Sequence, residues 1–389
     1  MTTKLFIYFY IYKHRKEFST MKLNCRRDEL LNAINITSKA VSGKTTMPIL
    51  ECLLLTADTN SFKLTANDME LAIESANIES EIEETGSIAL DARFFSDIIR
   101  KINGDIVYIT ADENNSVTIK CGRSEFKMPG QNGEDFPPIP TVEKNVRFVV
   151  GQNDLRNLIR QTIFSISMDE SKPVLTGELI EINDNKIDFV SVDGYRISYK
   201  QAELILASGS RKAIVPGKSL NEISKILSAD EEEKAIIYFT DNHIMVDING
   251  NIVVSRLIQG EFIKYQQSFT NDYKTSAKIN RVEMLDCLER ASLISRDSRK
   301  IPVKMEINSK NIIITANAET STAYEEVFAE VDGDKLSIAF NPKYLIDALK
   351  VIDDEYIYML LNTPLSPCVF KSADGEEDNY KYLILPLRI

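Results

Sequence analysis

The chain repeats one pattern three times, and this constrains its fold more than any single motif does. A short extended segment leading into an amphipathic helix occurs at 21–40 (MKLNCRRDELLNAINITSKA), at 146–162 (VRFVVGQNDLRNLIRQT) and at 277–292 (AKINRVEMLDCLERAS). Each is followed by two alternating apolar and polar runs, the pattern of an antiparallel hairpin. The runs are LLLTADTNSFKLTAND, ELIEINDNKIDFVSVD and VKMEINSKNIIITANA, ending at Asp68, Asp193 and Ala318, 125 residues apart both times. A second extended-then-helical segment comes next: SIALDARFFSDIIRKI, KAIVPGKSLNEISKIL and LSIAFNPKYLIDALKV. Asp91 and Asn341 stand where a side-chain oxygen caps free helical amides, and the middle copy has Pro216 and Gly217 instead. Further strands close each copy. The expected fold is therefore α+β: three units of about 125 residues, each with two helices packed on antiparallel sheets. The predicted units are 21–145, 146–272 and 273–389, divided at FPPIPTVEKN and FTNDYKTS, polar or Pro-rich stretches of the kind that link domains.

Residues 1–20 differ in character. An apolar run from Leu5 to Tyr12 precedes a basic cluster, Lys13 to Lys16. A targeting peptide carries its charge before the apolar run, and eight residues are too few to span a bilayer. The expected reading is an extension upstream of a start at Met21, with a disordered or surface-associated tail as the alternative. Five scattered cysteines without a CxxC pair suggest neither a disulfide framework nor a zinc site, and point to a reducing, cytoplasmic compartment.

The net charge of −12 argues at first against nucleic acid. The six helical segments with their flanks nevertheless carry 18 Lys and Arg against 11 Asp and Glu, a net of +7, so the strands and loops are strongly acidic. Two readings stay open on charge alone: helices that simply tolerate cations, or a basic helical surface set against an acidic sheet surface. The second would hold phosphates without reading bases, with strong salt dependence.

Enzyme chemistry finds little support. His14 and His243 are the only histidines, too few for a multi-histidine metal site. Gly43-Lys44-Thr45 imitates the end of a phosphate-binding loop, but Ser38 stands where the first glycine is needed. The acidic runs 231–233 and 374–378 read as solvated loops. No metal or cofactor is expected, and a repeated unit argues against a catalytic site, which would break its symmetry. An acidic hydrolase and a repeat-built adaptor remain as rivals to a DNA-binding scaffold.

Three repeats in this order, with MPIL at 47–50, VDGYR at 192–196, IVPGK at 214–218 and the closing YLILPLRI, resemble the bacterial DNA polymerase III beta subunit, the sliding clamp family, over 21–389. The resemblance implies a processivity factor without catalytic activity: a homodimer whose six domains close a ring on double-stranded DNA, helices inside and sheets outside. The implied partners are the DNA polymerase III alpha subunit, the clamp loader and other replication and repair proteins; ATP would belong to the loader. By position, ring closure would pair Phe126 and Met128 with Leu293 and Ile294, read as exposed apolar pairs at the two ends of the chain. The implied DNA-facing residues are Lys44, Arg93, Lys172 and Lys218.

The resemblance also implies an apolar groove between the second and third units that receives a short partner peptide. Leu175, Ile197, Leu383 and Leu385 would form its pockets, with Arg196 fixing the rim. Val192, Gly194, Tyr195, Ser366 and Pro386 would complete the walls. The chain departs from the family pattern at Ile263, where a proline is frequent, and at Gln267 and Ser268, which replace a basic and an apolar residue. Asp169, Pro173 and Val174 also depart from it, in the loop that would face DNA.

Overall fold

A computed structural model describes residues 20–43, 45–269, 272–295, 301–373 and 379–388. The tail 1–20 apart from Thr20, together with Lys44 among the expected DNA contacts, lies outside the described residues. The chain divides into two compact units, residues 1–141 with 245–255 and residues 142–244 with 256–389.

In the first unit, α1 (Arg27–Thr37) packs against α2 (Ala92–Lys101). Helix α2 shows how local sequence sets an element. Asp91 accepts the Phe94 amide at 2.7 Å, Phe95, Ile98 and Ile99 recur on one buried face, and Arg100 and Lys101 oppose the dipole at the last turn. The strands alternate as a half-buried sheet requires: Ile106–Ala111 is exposed and buried by turns along its whole length. Ser80–Glu84, Met21–Arg26, Ile106–Ala111, Ser116–Cys121 and Ser124–Pro129 form one antiparallel sheet in that order. In the unit's other sheet Leu71–Glu74 pairs on one side with Ser61–Asn67 and on the other with Asn251–Arg256.

The second unit holds two copies of the pattern. Its helices are α3 (Gln152–Thr162), α4 (Gly217–Ser224), α5 (Arg281–Ser292) and α6 (Pro342–Val351). Asn280 and Asn341 cap α5 and α6, as Asp91 caps α2. Helix α4 has no side-chain cap and is the shortest. Gly217 starts it because a Cβ there would lie 2.3 Å from the Ile166 side chain. Arg196–Glu203 pairs with Lys186–Val192 on one side and with Tyr380–Ile384 on the other. One core joins α5 and α6 to the strands of the last repeat through Leu288, Ile314, Phe340, Leu349, Met359 and Tyr382.

The three-repeat α+β organisation is thus present, and the five cysteines are free and buried. Met128 corrects an expectation. It is 3% exposed and faces the core from the edge strand, while Phe126 on the same strand is 37% exposed. The strand pairs with Ser116–Cys121 in unbroken register, so the two side chains share a face of which only the Met128 end is covered by the core. Ile294 likewise packs partly on the core, whereas Leu293 is 49% exposed.

Candidate functional site: a groove in the second unit

A cavity of about 920 Å³ lies between the 166–172 segment, the 193–196 turn, Ile301, the end of α5 at Ser292 and the start of α6. Its walls are mostly local constructions. Hydrogen bonds from the Ser171 hydroxyl and then the Ser171 amide, with Lys172 nearby, hold the Asp169 carboxylate below its usual pKa range. Asp193 accepts the Tyr195 and Arg196 amides, closing an Asx turn in which Gly194 takes φ +95°. Tyr195, 59% exposed, stacks on Tyr344 with ring centres 6.3 Å apart. Its carbonyl accepts the Leu385 amide at 2.9 Å, so the closing strand is tied to the same turn.

Arg196 is the strut of this site. Expected to fix the rim, it is 6% exposed. Its guanidinium donates to Asp193 at 2.9 Å, to Asp347 of α6 at 2.9 Å and to the Phe164 carbonyl at 2.7 Å. It lies between the rings of Phe164 and Tyr344, 5.4 and 4.4 Å from their centres. Three donors of the planar fork are taken by these acceptors, so Arg196 positions Tyr195 and Tyr344 while part of it still lines the cavity.

The apolar residues of the expected groove divide into two groups. Val192, Ile197 and Leu383 are buried in one cluster with Phe262 and Tyr265, which close over them. They do not line the 920 Å³ cavity and are not open pockets as anticipated, because the segment after Ile258 supplies aromatic side chains that the strand pattern alone does not announce. Leu175 and Pro386 are half-buried, and Gly194, Ile263, Gln267, Ser268 and Leu385 are exposed. Ser366 is half-buried and hydrogen-bonds Thr363 at 2.7 Å. Ile166, Met168, Ser292, Ile301, Asn341, Pro342 and Tyr344 line the cavity without having been singled out. The one sequence signal among them was Asn341, legible only as a helix cap.

Of the expected DNA contacts, Arg93 and Lys218 are exposed at the starts of α2 and α4. Lys172, also exposed, lines the 920 Å³ cavity. Among the described residues there is no group of three or more potential metal ligands, and no helix is long and apolar enough to cross a membrane.

Repeated two-helix units on antiparallel sheets, with exposed cations at two helix starts and a groove beside the last helix, are the architecture of a repeat-built α+β scaffold. Family models of the DNA polymerase III beta subunit match throughout: its N-terminal domain over 21–140, central domain over 149–264 and C-terminal domain over 266–388. A beta sliding clamp of Staphylococcus epidermidis is 33% identical over 377 residues, 95% of this chain and 99% of the relative. The solved DNA polymerase sliding clamp of Bacillus subtilis has 32% identity and a TM-score of 0.91, covering 95% of this chain and 100% of that one. A Pseudomonas aeruginosa sliding clamp, 25% identical with a TM-score of 0.89 over 95% of this chain and 100% of that one, was solved bound to griselimycin. The chain belongs to the DNA polymerase III beta subunit family, and its function is that of a beta sliding clamp, a non-catalytic processivity factor in DNA replication.

Proposed function

We propose that two copies of this chain, each with domains at 21–145, 146–272 and 273–389, close head to tail into a ring on duplex DNA in the cytoplasm. The observation that carries this reading is a strand pairing that occurs twice and is left open once. Leu71–Glu74 is extended by Asn251–Arg256, and Arg196–Glu203 by Tyr380–Ile384, antiparallel in both cases. The corresponding strand of the last repeat is Thr322–Gly333. Over Thr322–Phe328 it has one partner, Asn311–Asn317, among the described residues. Ser124–Pro129, which closes the first repeat, is an edge strand too. An open edge flanked by Tyr324 and Phe328, each 64% exposed, is a template for pairing. Joining it to the Ser124–Pro129 edge of a second copy makes two equivalent heterologous contacts, which is what closes a ring.

In that ring Arg93, Lys218 and Lys44 contact phosphates without reading bases, so binding is weak, salt-sensitive and retained by topology. Leu293 and Ile294 pack with Phe126 at the seam. Polymerase, clamp loader and repair proteins dock peptides on Tyr195, Tyr344, Leu175 and Leu385, with Lys172 serving this groove and DNA alike. Exposed Ile263, Gln267 and Ser268 set the peptide preference.

The test is loading onto nicked circular DNA with the cognate clamp loader and ATP. Retention through a salt wash, followed by release when the circle is cut, is expected. Equal retention on linear DNA would replace the ring with an adaptor. The double variant Leu293→Ala, Ile294→Ala is expected to elute as a monomer by light scattering and to lose retention; an unchanged dimer mass would remove both residues from the seam.

A further inference from the structure

A second cavity, of about 510 Å³, opens in the second unit on the edge strand Arg211–Pro216. Its origin is a segment that covers the edge only briefly. The Ile258 amide donates to the Ile214 carbonyl at 2.9 Å, the single bridge made there. At Gly260, φ +136°, the backbone turns away, and a Cβ at that position would approach the Val174 side chain to 2.7 Å. The slot left behind has an apolar floor of Leu179, Ile214, Ile258 and Phe262, with Ile263, 42% exposed, as one wall.

Cations stand over this floor. Lys212 is already matched by Glu181 at 2.7 Å. Arg211 is poorly matched: its guanidinium reaches the Thr240 carbonyl and lies 5.7 Å from the Phe239 ring centre. The nearest carboxylate, Asp241, is 3.7 Å away and 97% exposed, and the buried Nε–H has no acceptor among the described residues. A buried donor of a charged group left without an acceptor is costly. Lys264 also lines the cavity and makes no ion pair among the described residues. Asp241 and Glu261 stand at the same rim, so long-range attraction is small and recognition rests on direct pairing.

We propose that this cavity binds an apolar group bearing a carboxylate, the apolar part on Ile214 and Phe262 and the carboxylate on Arg211 and Lys264. Turning the guanidinium into the cavity exchanges one neutral carbonyl acceptor for a two-point carboxylate pair. The free C-terminus of a polypeptide ending in a large apolar residue and a free aryl or branched acid share this chemistry.

The experiment is a ligand-observed NMR titration of the full-length protein with N-acetylphenylalanine, its amide, and acetyl-Gly-Gly-Phe with a free carboxylate. The acid is expected to bind at least fivefold more tightly than the amide. Arg211→Met should abolish that preference while leaving amide binding unchanged. A tripeptide that binds more tightly than the single residue assigns the site to polypeptide termini; equal binding assigns it to free acids. Lys264→Glu, on the surface, should reduce the preference whether or not the Arg211 variant folds. Equal affinity for acid and amide in the unaltered protein, or a preference that survives both substitutions, overturns the proposal.

Discussion

Arg196→Ala is expected to destabilise the second unit by about 3–5 kcal/mol, the usual cost of removing one partner from a buried charge pair. The loss comes less from the attraction given up than from what stays behind. Asp193 would lose its cation, Asp347 would keep only the exposed Lys343, and the Phe164 carbonyl would lose its donor. For a unit of this size the change lowers the midpoint of thermal unfolding by roughly 10 °C. Arg196→Lys should recover part of it, since an ammonium cannot serve three acceptors in one plane. Binding of a Gln-Leu-x-Leu-Phe peptide should weaken in both variants, because Tyr195 and Tyr344 lose the strut between their elements. A melting temperature unchanged in the alanine variant would show that the buried network contributes nothing to stability.

The second large effect concerns Glu178. This side chain is fully buried beneath α3 and accepts a hydrogen bond from Ser191. Burial pushes its carboxyl up to about 8, only partly opposed by the Ser191 hydrogen bond and the nearby Thr162 hydroxyl. A folded-state value above the unfolded one means that the protonated acid favours folding. Its contribution is complete below pH 4.5 and is lost progressively as pH rises through about 8. At neutral pH the loss is on the order of 3 kcal/mol. Glu178→Gln, which cannot ionise, should therefore flatten the stability profile between these limits and make the protein more stable than the parent at pH 8. Denaturant titrations at pH 5, 6.5 and 8 measure this, and parallel profiles for the two proteins would rule out a neutral buried acid.

How much of this was legible in the sequence varies by element. Helices α2, α5 and α6 were readable because their signals are local: a capping Asp or Asn, an apolar stripe at helical spacing, cations at the last turn. The strands were readable by period two, and repetition at 125 residues carried the fold. Glu178 was not readable. In GELIEI it falls on the face of Ile180 and Ile182, opposite Glu181, and period two does not say that this face encloses a carboxyl without a cation while Glu181 reaches Tyr265 and Lys212. Met128 failed because it shares a strand face with Phe126, and how far along that face the core extends is set by distant residues. Arg196 was singled out as fixing the rim, but its partners were not readable, because nothing in VDGYR indicates that Asp347, 151 residues later, will meet it.

Local chemistry, acting through caps, turns and periodicity, determined the elements of this protein, their order and their threefold recurrence. These depend on interactions between residues a few positions apart, and the sequence displays them directly. Tertiary structure decided which strand edges were left open, which carboxylate lost its water, and how Ile166, Tyr195 and Asn341 came to border one groove. Those outcomes depend on the proximity of residues distant in sequence and on the solvent that packing excludes, and neither quantity is written in any local stretch of the chain.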